Sequence, residues 1–370
     1  MIQLLTTQRE DLILNKEYEL ALKVVEEYYD FSDTKSAEIL VSFEEKDFAK
    51  TLEELLIAYG VGKVYITYTN GIVCEEINRG YRQYLDDRIS FYKERISEGF
   101  VRITILSPFP LPVAITSEIS EYQKHLGELS FLQEYLIKSP RIMIVKPNAL
   151  WARKLNLTLL ELWDKINEFY NSDESYDEIL DILNNYHFHK LHFESSEGTN
   201  VTFTLTDDFK FTGKRINFNG KSFQANAPSL EIFTAPKKYS GDGKIVFTKP
   251  LCYHGKIFTD MEITLHNGKV VENKNLDYIL GLDESLSYIG EIALCPFKEG
   301  YFLSTIVDEN SGCHIALGNA YPYGISDIDS INHSIYHIDL VFGSSSLNVD
   351  GILDDGTIIP IIKDGIKCIQ

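Results

Sequence analysis

Leu191-His-Phe-Glu-Ser-Ser-Glu-Gly-Thr-Asn-Val201-Thr-Phe-Thr-Leu-Thr206 marks a change of period along this chain. From Val201 apolar and polar residues alternate, the two-residue repeat of a half-buried strand. Downstream, the turn sequences Gly241-Asp-Gly243, Asn267-Gly268 and Asp355-Gly356 recur between further short apolar runs. Such dipeptides supply the positive φ angles of tight hairpins. The second half therefore reads as a strand-rich α+β domain.

Upstream the pattern is different. Residues 17–29 place Leu20, Val24, Val25 and Tyr28 on one side of a helix. Residues 37–43 read as a strand, 48–59 as a helix, and 62–68 as a β-branched and aromatic strand. Residues 74–97 read as helical, 101–106 as a strand and 142–145 as a short strand. Strands alternating with helices predict an α/β domain with a mainly parallel sheet. Residues 157–170 and 174–184 read as two more helices. The fold expected is thus an α/β N-terminal domain, residues 1–185, followed by a strand-rich α+β catalytic domain, residues 186–370.

Composition narrows the function. The chain has 370 residues, 44% hydrophobic and 24% charged, with 55 acidic against 35 basic residues and a formal charge of −20. That length favours two cores, and the charge disfavours nucleic acid or an anionic membrane surface as a partner. No apolar run approaches the roughly 18 residues of a membrane span, and charge precedes any signal-length apolar run at the start. Cys74, Cys252, Cys295, Cys313 and Cys368 are odd in number and scattered. They read as free thiols in a reducing, cytoplasmic setting. No Gly-x-Gly-x-x-Gly or phosphate loop follows a strand, and no Gly-x-Ser-x-Gly or His-Glu-x-x-His occurs.

Chemistry-bearing residues gather in the last 140 positions. Glu231 lies in Asn226-Ala-Pro-Ser-Leu-Glu231-Ile-Phe-Thr-Ala-Pro236, and Glu291 in Ile289-Gly-Glu291-Ile. His314 follows Asp308-Glu-Asn-Ser-Gly-Cys313, and His337 and Asp339 stand in Tyr336-His337-Ile-Asp339-Leu340. Three carboxylates and two imidazoles are the donor set for two hard or borderline divalent cations. Apolar or small neighbours place each on a strand or tight turn at a buried site. His337 and Asp339, two apart, share one face of a strand. A competing cluster, His187, His189 and His192, lacks a completing carboxylate or cysteine in its sequence surroundings. Cys313 is adjacent to His314, but neighbours on a strand face opposite ways, which argues against a thiol–imidazole pair.

These segments resemble, in order, the motifs of the M29 thermophilic aminopeptidases. The matching pieces are Asn226-Ala-Pro-Ser-Leu-Glu231 with Ile-Phe-Thr-Ala-Pro236, then Gly290-Glu291, then Glu309-Asn-Ser-Gly-Cys-His314-Ile-Ala-Leu-Gly318. Asn332-His-Ser-Ile-Tyr-His337-Ile-Asp339, Gly343-Ser344 and Asp350-Gly351 follow. The likeness is strong from about residue 198 and thinner before it. It implies a metal-dependent aminopeptidase releasing N-terminal residues from short peptides by two-metal hydrolysis. The implied ligands are Glu231, Glu291, His314, His337 and Asp339, for two zinc, cobalt or manganese ions. Tyr321 is implied as an oxyanion donor and Glu291 as a second catalytic group. A homodimer enclosing its active sites is also implied. The Glu291–His314 segment looks short for the family, and Gly198-Thr199-Asn200 stands where Gly-Thr-Asp is common; both bear on substrate preference and assembly. The alternatives are a catalytically silent peptide-binding relative or another dinuclear metal amidohydrolase.

Overall fold

The computed structural model describes residues 2–69, 72–109, 116–172, 176–218, 220–253 and 256–369. The chain packs as two compact units, Met1–Glu168 with Arg215–Ala227, and Phe169–Lys214 with Pro228–Gln370.

The first unit is built on a five-stranded sheet. Its strands run in the order Lys63–Tyr68, Ser36–Val41, Val101–Leu106, Arg141–Val145, Asn226–Ala227, every neighbouring pair parallel. Ile39, Val41, Ile103, Ile142, Ile144 and Val145 are buried, the composition of strands covered on both faces. The Lys46–Ala58 helix buries Phe48, Ala49, Leu52 and Leu56, spaced to form one stripe. The helix expected over 74–97 is two helices, Ile72–Arg79 and Tyr81–Glu98. Gly80 separates them, a residue that weakens a helix interior.

The second unit holds two main antiparallel sheets and, among the described residues, the two-stranded pair Leu251–Tyr253 with Lys256–Phe258. Eight strands form the larger, in the order Lys269–Lys274, Glu262–His266, Asp242–Val246, Asn200–Thr204, Phe188–Glu194, Asn348–Leu353, Ile358–Lys363, Ile366–Lys367. The smaller runs Ile232–Thr234, Ile289–Leu294, His314–Gly318, His337–Val341. Phe193, Phe203, Ile245, Ile263 and Val349 of the larger sheet share one core with Ile292, Leu294, Ile315, Leu317, Ile338 and Leu340 of the smaller. Each fully buried aliphatic side chain contributes roughly 1.5–3 kcal/mol.

A single division at residue 185 does not describe these units. Tyr176, Ile179 and Leu183 belong to the core of the second, because their apolar stripe matches that sheet. Asn226–Ala227 returns to the first unit by pairing with Arg141–Val145. A two-residue strand carries too little pattern to be read from sequence. Part of the helix expected over 174–184 lies outside the described residues; Tyr176–Ile179 forms a 3₁₀ turn and Leu180–Asn185 an α-helix.

Candidate metal centre

The four-stranded sheet sorts its side chains by alternation. Ile292, Leu294, Ile315, Leu317, Ile338 and Leu340 face the core. The residues between them face the other way. Glu291 pairs with Ala316, and Ala316 with Asp339, so these three form one row across the strands. His314, two residues before Ala316, and His337, two before Asp339, share that face. Phe233 pairs with Ala293, and Glu231 lies two residues before Phe233 on the same side. Ala316, the smallest side chain of this row, stands between the two carboxylates that flank it.

Local sequence shapes the strands to do this. The register shifts between Ile289 and Glu291, a bulge that re-aims the following side chain. A Cβ on Gly290 would come within 2.4 Å of the Gly318 and Asn319 carbonyl oxygens. Gly318 has φ +97, a conformation suited to glycine. The tight approach of these segments therefore needs glycine at both positions. Asn310 joins two other segments: its amide donates to the Pro228 and Ile306 carbonyls at 3.2 and 2.7 Å and accepts the Leu230 N–H. It thereby fixes the chain entering Glu231 against the turn that precedes His314. Lys249 Nζ donates to the Lys298 and Gly300 carbonyls and to Ser311 Oγ at 2.9, 2.8 and 2.5 Å. Burial pulls its pKa down to about 8.

All five sequence-predicted ligand candidates come together. Glu231, Glu291 and His314 form one group, and Glu291, His337 and Asp339 another, each with ligand atoms within 4.8 Å of one another. His314 Nε2 is 2.9 Å from Glu231 Oε2 and 3.7 Å from Glu291 Oε1. His337 Nε2 is 3.1 Å from Asp339 Oδ1 and 3.9 Å from Glu291 Oε2. Both imidazoles turn Nδ1 to a backbone carbonyl, His314 to Gly312 at 3.2 Å and His337 to Asn319 at 2.8 Å. An Nδ1–H donated to a carbonyl leaves Nε2 as the free donor atom, the usual support for a metal-binding histidine.

The electrostatics show what the site favours. Burial would lower the His314 pKa, but Glu231 and Glu291, with Asp339, hold it well above the usual range. Burial acts likewise on His337 and is outweighed by Asp339, Tyr321 and Glu291. Burial raises Glu291, with His314 and His337 opposing. Asp339 is raised by burial but held down to about 2 by His337 and His314 and a hydrogen bond from Glu309. The crowded carboxylates thus favour positive charge beside them. Glu231 Oε2, His314 Nε2 and Asp339 Oδ1 are buried and, among the described residues, have ion-pair contacts within the cluster but no well-aligned hydrogen bond. Buried polar atoms left so are costly, and a divalent cation would satisfy all three. The residues fit such an ion.

Glu309 is a further member that the sequence reading passed over. It is 3% exposed. Burial, with Asp339 and Glu231 nearby, raises its pKa well above the carboxylate range. Its carboxyl is hydrogen-bonded with that of Asp339. The available signal was an acid beside Ile306-Val307 with no Lys or Arg in the run 302–313. Tyr321, partly buried, has its ring centroid 4.7 Å from that of His337 and stacks on Tyr323.

The competing readings end elsewhere. His189 Nδ1 is 3.5 Å from the exposed Asp354, and His192 bonds Thr202. Neither joins a group of three ligand residues among those described. Cys313 lies in the apolar core with its thiol toward the Cys295 carbonyl, and burial pushes its pKa up to about 11. A protonated thiol facing away from His314 is no nucleophile.

Comparison with known proteins identifies the family. The family described as thermophilic metalloprotease (M29) matches residues 145–366. Aminopeptidase AmpS of Bacillus subtilis (strain 168) is 31% identical, the match covering 72% of this chain and 76% of that protein. Aminopeptidase T of Thermus aquaticus is 26% identical over 95% of this chain and 97% of its own. The solved structure of wild-type AmpT from Thermus thermophilus has the same fold, with TM-score 0.82 at 22% identity over 96% of this chain and 99% of that one. The chain belongs to the M29 peptidase family and is a metallo-aminopeptidase, a hydrolase that uses divalent metal.

Proposed function

We propose that Glu231, Glu291, His314, His337 and Asp339 hold two divalent ions, with Glu291 shared, for hydrolysis of N-terminal residues from short peptides. The observation that carries this is the pair of ligand groups with one carboxylate in common. Zinc, cobalt and manganese all suit mixed imidazole and carboxylate donors. When bound, such ions supply Lewis acidity and activate water near neutral pH.

The protein's own groups do the rest. Tyr321, beside His337, is placed to give a phenol hydrogen bond to the oxyanion of the tetrahedral species. Glu309 keeps Asp339 oriented through its hydrogen bond and holds an exchangeable proton at its carboxyl. Glu291 faces both imidazoles, where it can share in proton movement. Phe233 and Tyr323 stand edge to face on the ligand side of the sheet, an apolar wall for the side chain of a departing residue. The acidic cluster attracts the cationic amino terminus. The same reading makes the enzyme a cytoplasmic homodimer. All five cysteines are free, which supports a reducing setting. No helix among the described residues is long and apolar enough to cross a membrane.

The test of substrate class is a matched pair, Leu-Gly-Gly and acetyl-Leu-Gly-Gly, compared by kcat/KM. Acetylation removes the positive charge and the amine lone pair. Losing a partner at a desolvated polar site costs on the order of a hundredfold or more, so the acetylated peptide should be nearly inert. Equal turnover would contradict recognition of a free amino terminus and favour another dinuclear amidohydrolase.

A further inference from the structure

The first unit contains a cavity of about 510 Å³ lined by the Lys63–Tyr68 strand and by the Ile72–Arg79 and Tyr81–Glu98 helices. Its volume is of small-molecule size. Among the described residues no metal-ligand candidate belongs to this unit or lines the cavity.

Arg88 is the distinctive wall residue. Its guanidinium lies 4.7 Å from the Phe91 ring centroid, 5.2 Å from that of Tyr92 and 5.9 Å from that of Tyr84. The Tyr92 ring is fixed in turn by its hydroxyl, which donates to the buried Glu38 at 3.0 Å. Cation–π contact with three rings sets the orientation of the planar fork. The other arginines of this helix are ion-paired, Arg82 with Asp86 and Glu128, and Arg95 with Glu94 and Glu98. Among the described residues no carboxylate or carbonyl accepts a hydrogen bond from Arg88. A guanidinium held in place, with its donors unused, on the wall of a cavity is built to meet an anion, best a carboxylate taken by two N–H groups.

The rest of the wall defines the anion's body. At the exposed rim, Arg79, 3.9 Å from Glu75, adds a second cation, and Glu76 and Asp87 add two carboxylates. Tyr65, Tyr84 and Phe91 supply aromatic surface between them. A simple anion would be repelled by the two carboxylates, and a simple cation by the two arginines. A zwitterion with an apolar side chain satisfies both signs and the aromatic walls.

We propose that this cavity binds a free α-amino acid with an aromatic or large aliphatic side chain. The carboxylate meets Arg88, the ammonium lies toward Asp87 and Glu76, and the side chain lies among Tyr65, Tyr84 and Phe91. This is the chemical class that aminopeptidase action releases, so the cavity is a second, non-catalytic site for product.

Hydrogen–deuterium exchange of peptides covering residues 76–91 reads this site apart from the metal centre. The holoenzyme is titrated with L-phenylalanine, with 2-phenylethylamine, which lacks the carboxylate, and with 3-phenylpropionate, which lacks the ammonium. Phenylalanine should slow exchange saturably, and removal of either charge should weaken the midpoint at least about tenfold. Arg88→Met should weaken the phenylalanine midpoint by a similar factor, with peptide hydrolysis and metal content at wild-type values. Should Arg88→Met not fold, the three ligands on the wild-type protein decide alone. Absence of protection at 76–91, or equal midpoints for phenylalanine and 2-phenylethylamine, overturns the proposal.

Discussion

Tyr321 and Glu309 show how differently two residues beside one cluster can be found. Tyr321 came from the family resemblance, which implies a functional tyrosine shortly after His314; its ring lies against His337. Its role is open to a direct test. Tyr321→Phe keeps the ring and its packing but removes the donor. Loss of one oxyanion donor costs about a hundred- to a thousandfold in kcat. KM and metal content should change little. A Tyr321→Phe enzyme with wild-type kcat would remove the phenol from the reaction. Glu309 sits in a motif whose histidine carries the recognisable chemistry. Nothing in its spacing marks it, because it lies at the end of a five-residue helical turn and not on a strand with the others. Its proximity to Asp339 is a tertiary fact. The decoy His187 and His189 failed for the same reason in reverse: spacing placed them plausibly, but among the described residues the fold brings no third ligand.

At the scale of elements, period was informative and interruptions were not. The strands Val101–Leu106 and Lys63–Tyr68 emerge where apolar and β-branched residues predict them. The break at Gly80 was missed because a lone glycine within a helical pattern only weakens it. The His314–Gly318 strand gives the sharpest element-level prediction, since its two faces do different work. Ile315 is fully buried in the core, and Ala316 pairs with both Glu291 and Asp339. Ile315→Ala should cost about 2–5 kcal/mol of stability while metal content stays near wild type. Ala316→Val suits a strand by propensity but puts added bulk between the carboxylates. It should keep its secondary structure by circular dichroism and lose metal. Full metal content in Ala316→Val would mean that the register does not form the site as described.

For the whole molecule, two units of different construction were evident from the switch in period near Leu191. Their partition was not, because Asn226–Ala227 joins the first sheet and the turns from Tyr176 join the second core. Both are long-range pairings that leave no local pattern. The candidate site was more legible than the unit boundary, since its candidate ligands are side chains whose types declare their chemistry. The central claim is that one sheet face holds two ions through a shared Glu291. Metal analysis of purified protein, wild type against Glu291→Ala and against His187→Ala with His189→Ala, tests it most directly. Two divalent ions per chain are expected in the wild type and in the double histidine variant, with fewer than one in Glu291→Ala and its peptide hydrolysis abolished. A folded Glu291→Ala protein that still carries two ions per chain would contradict the account.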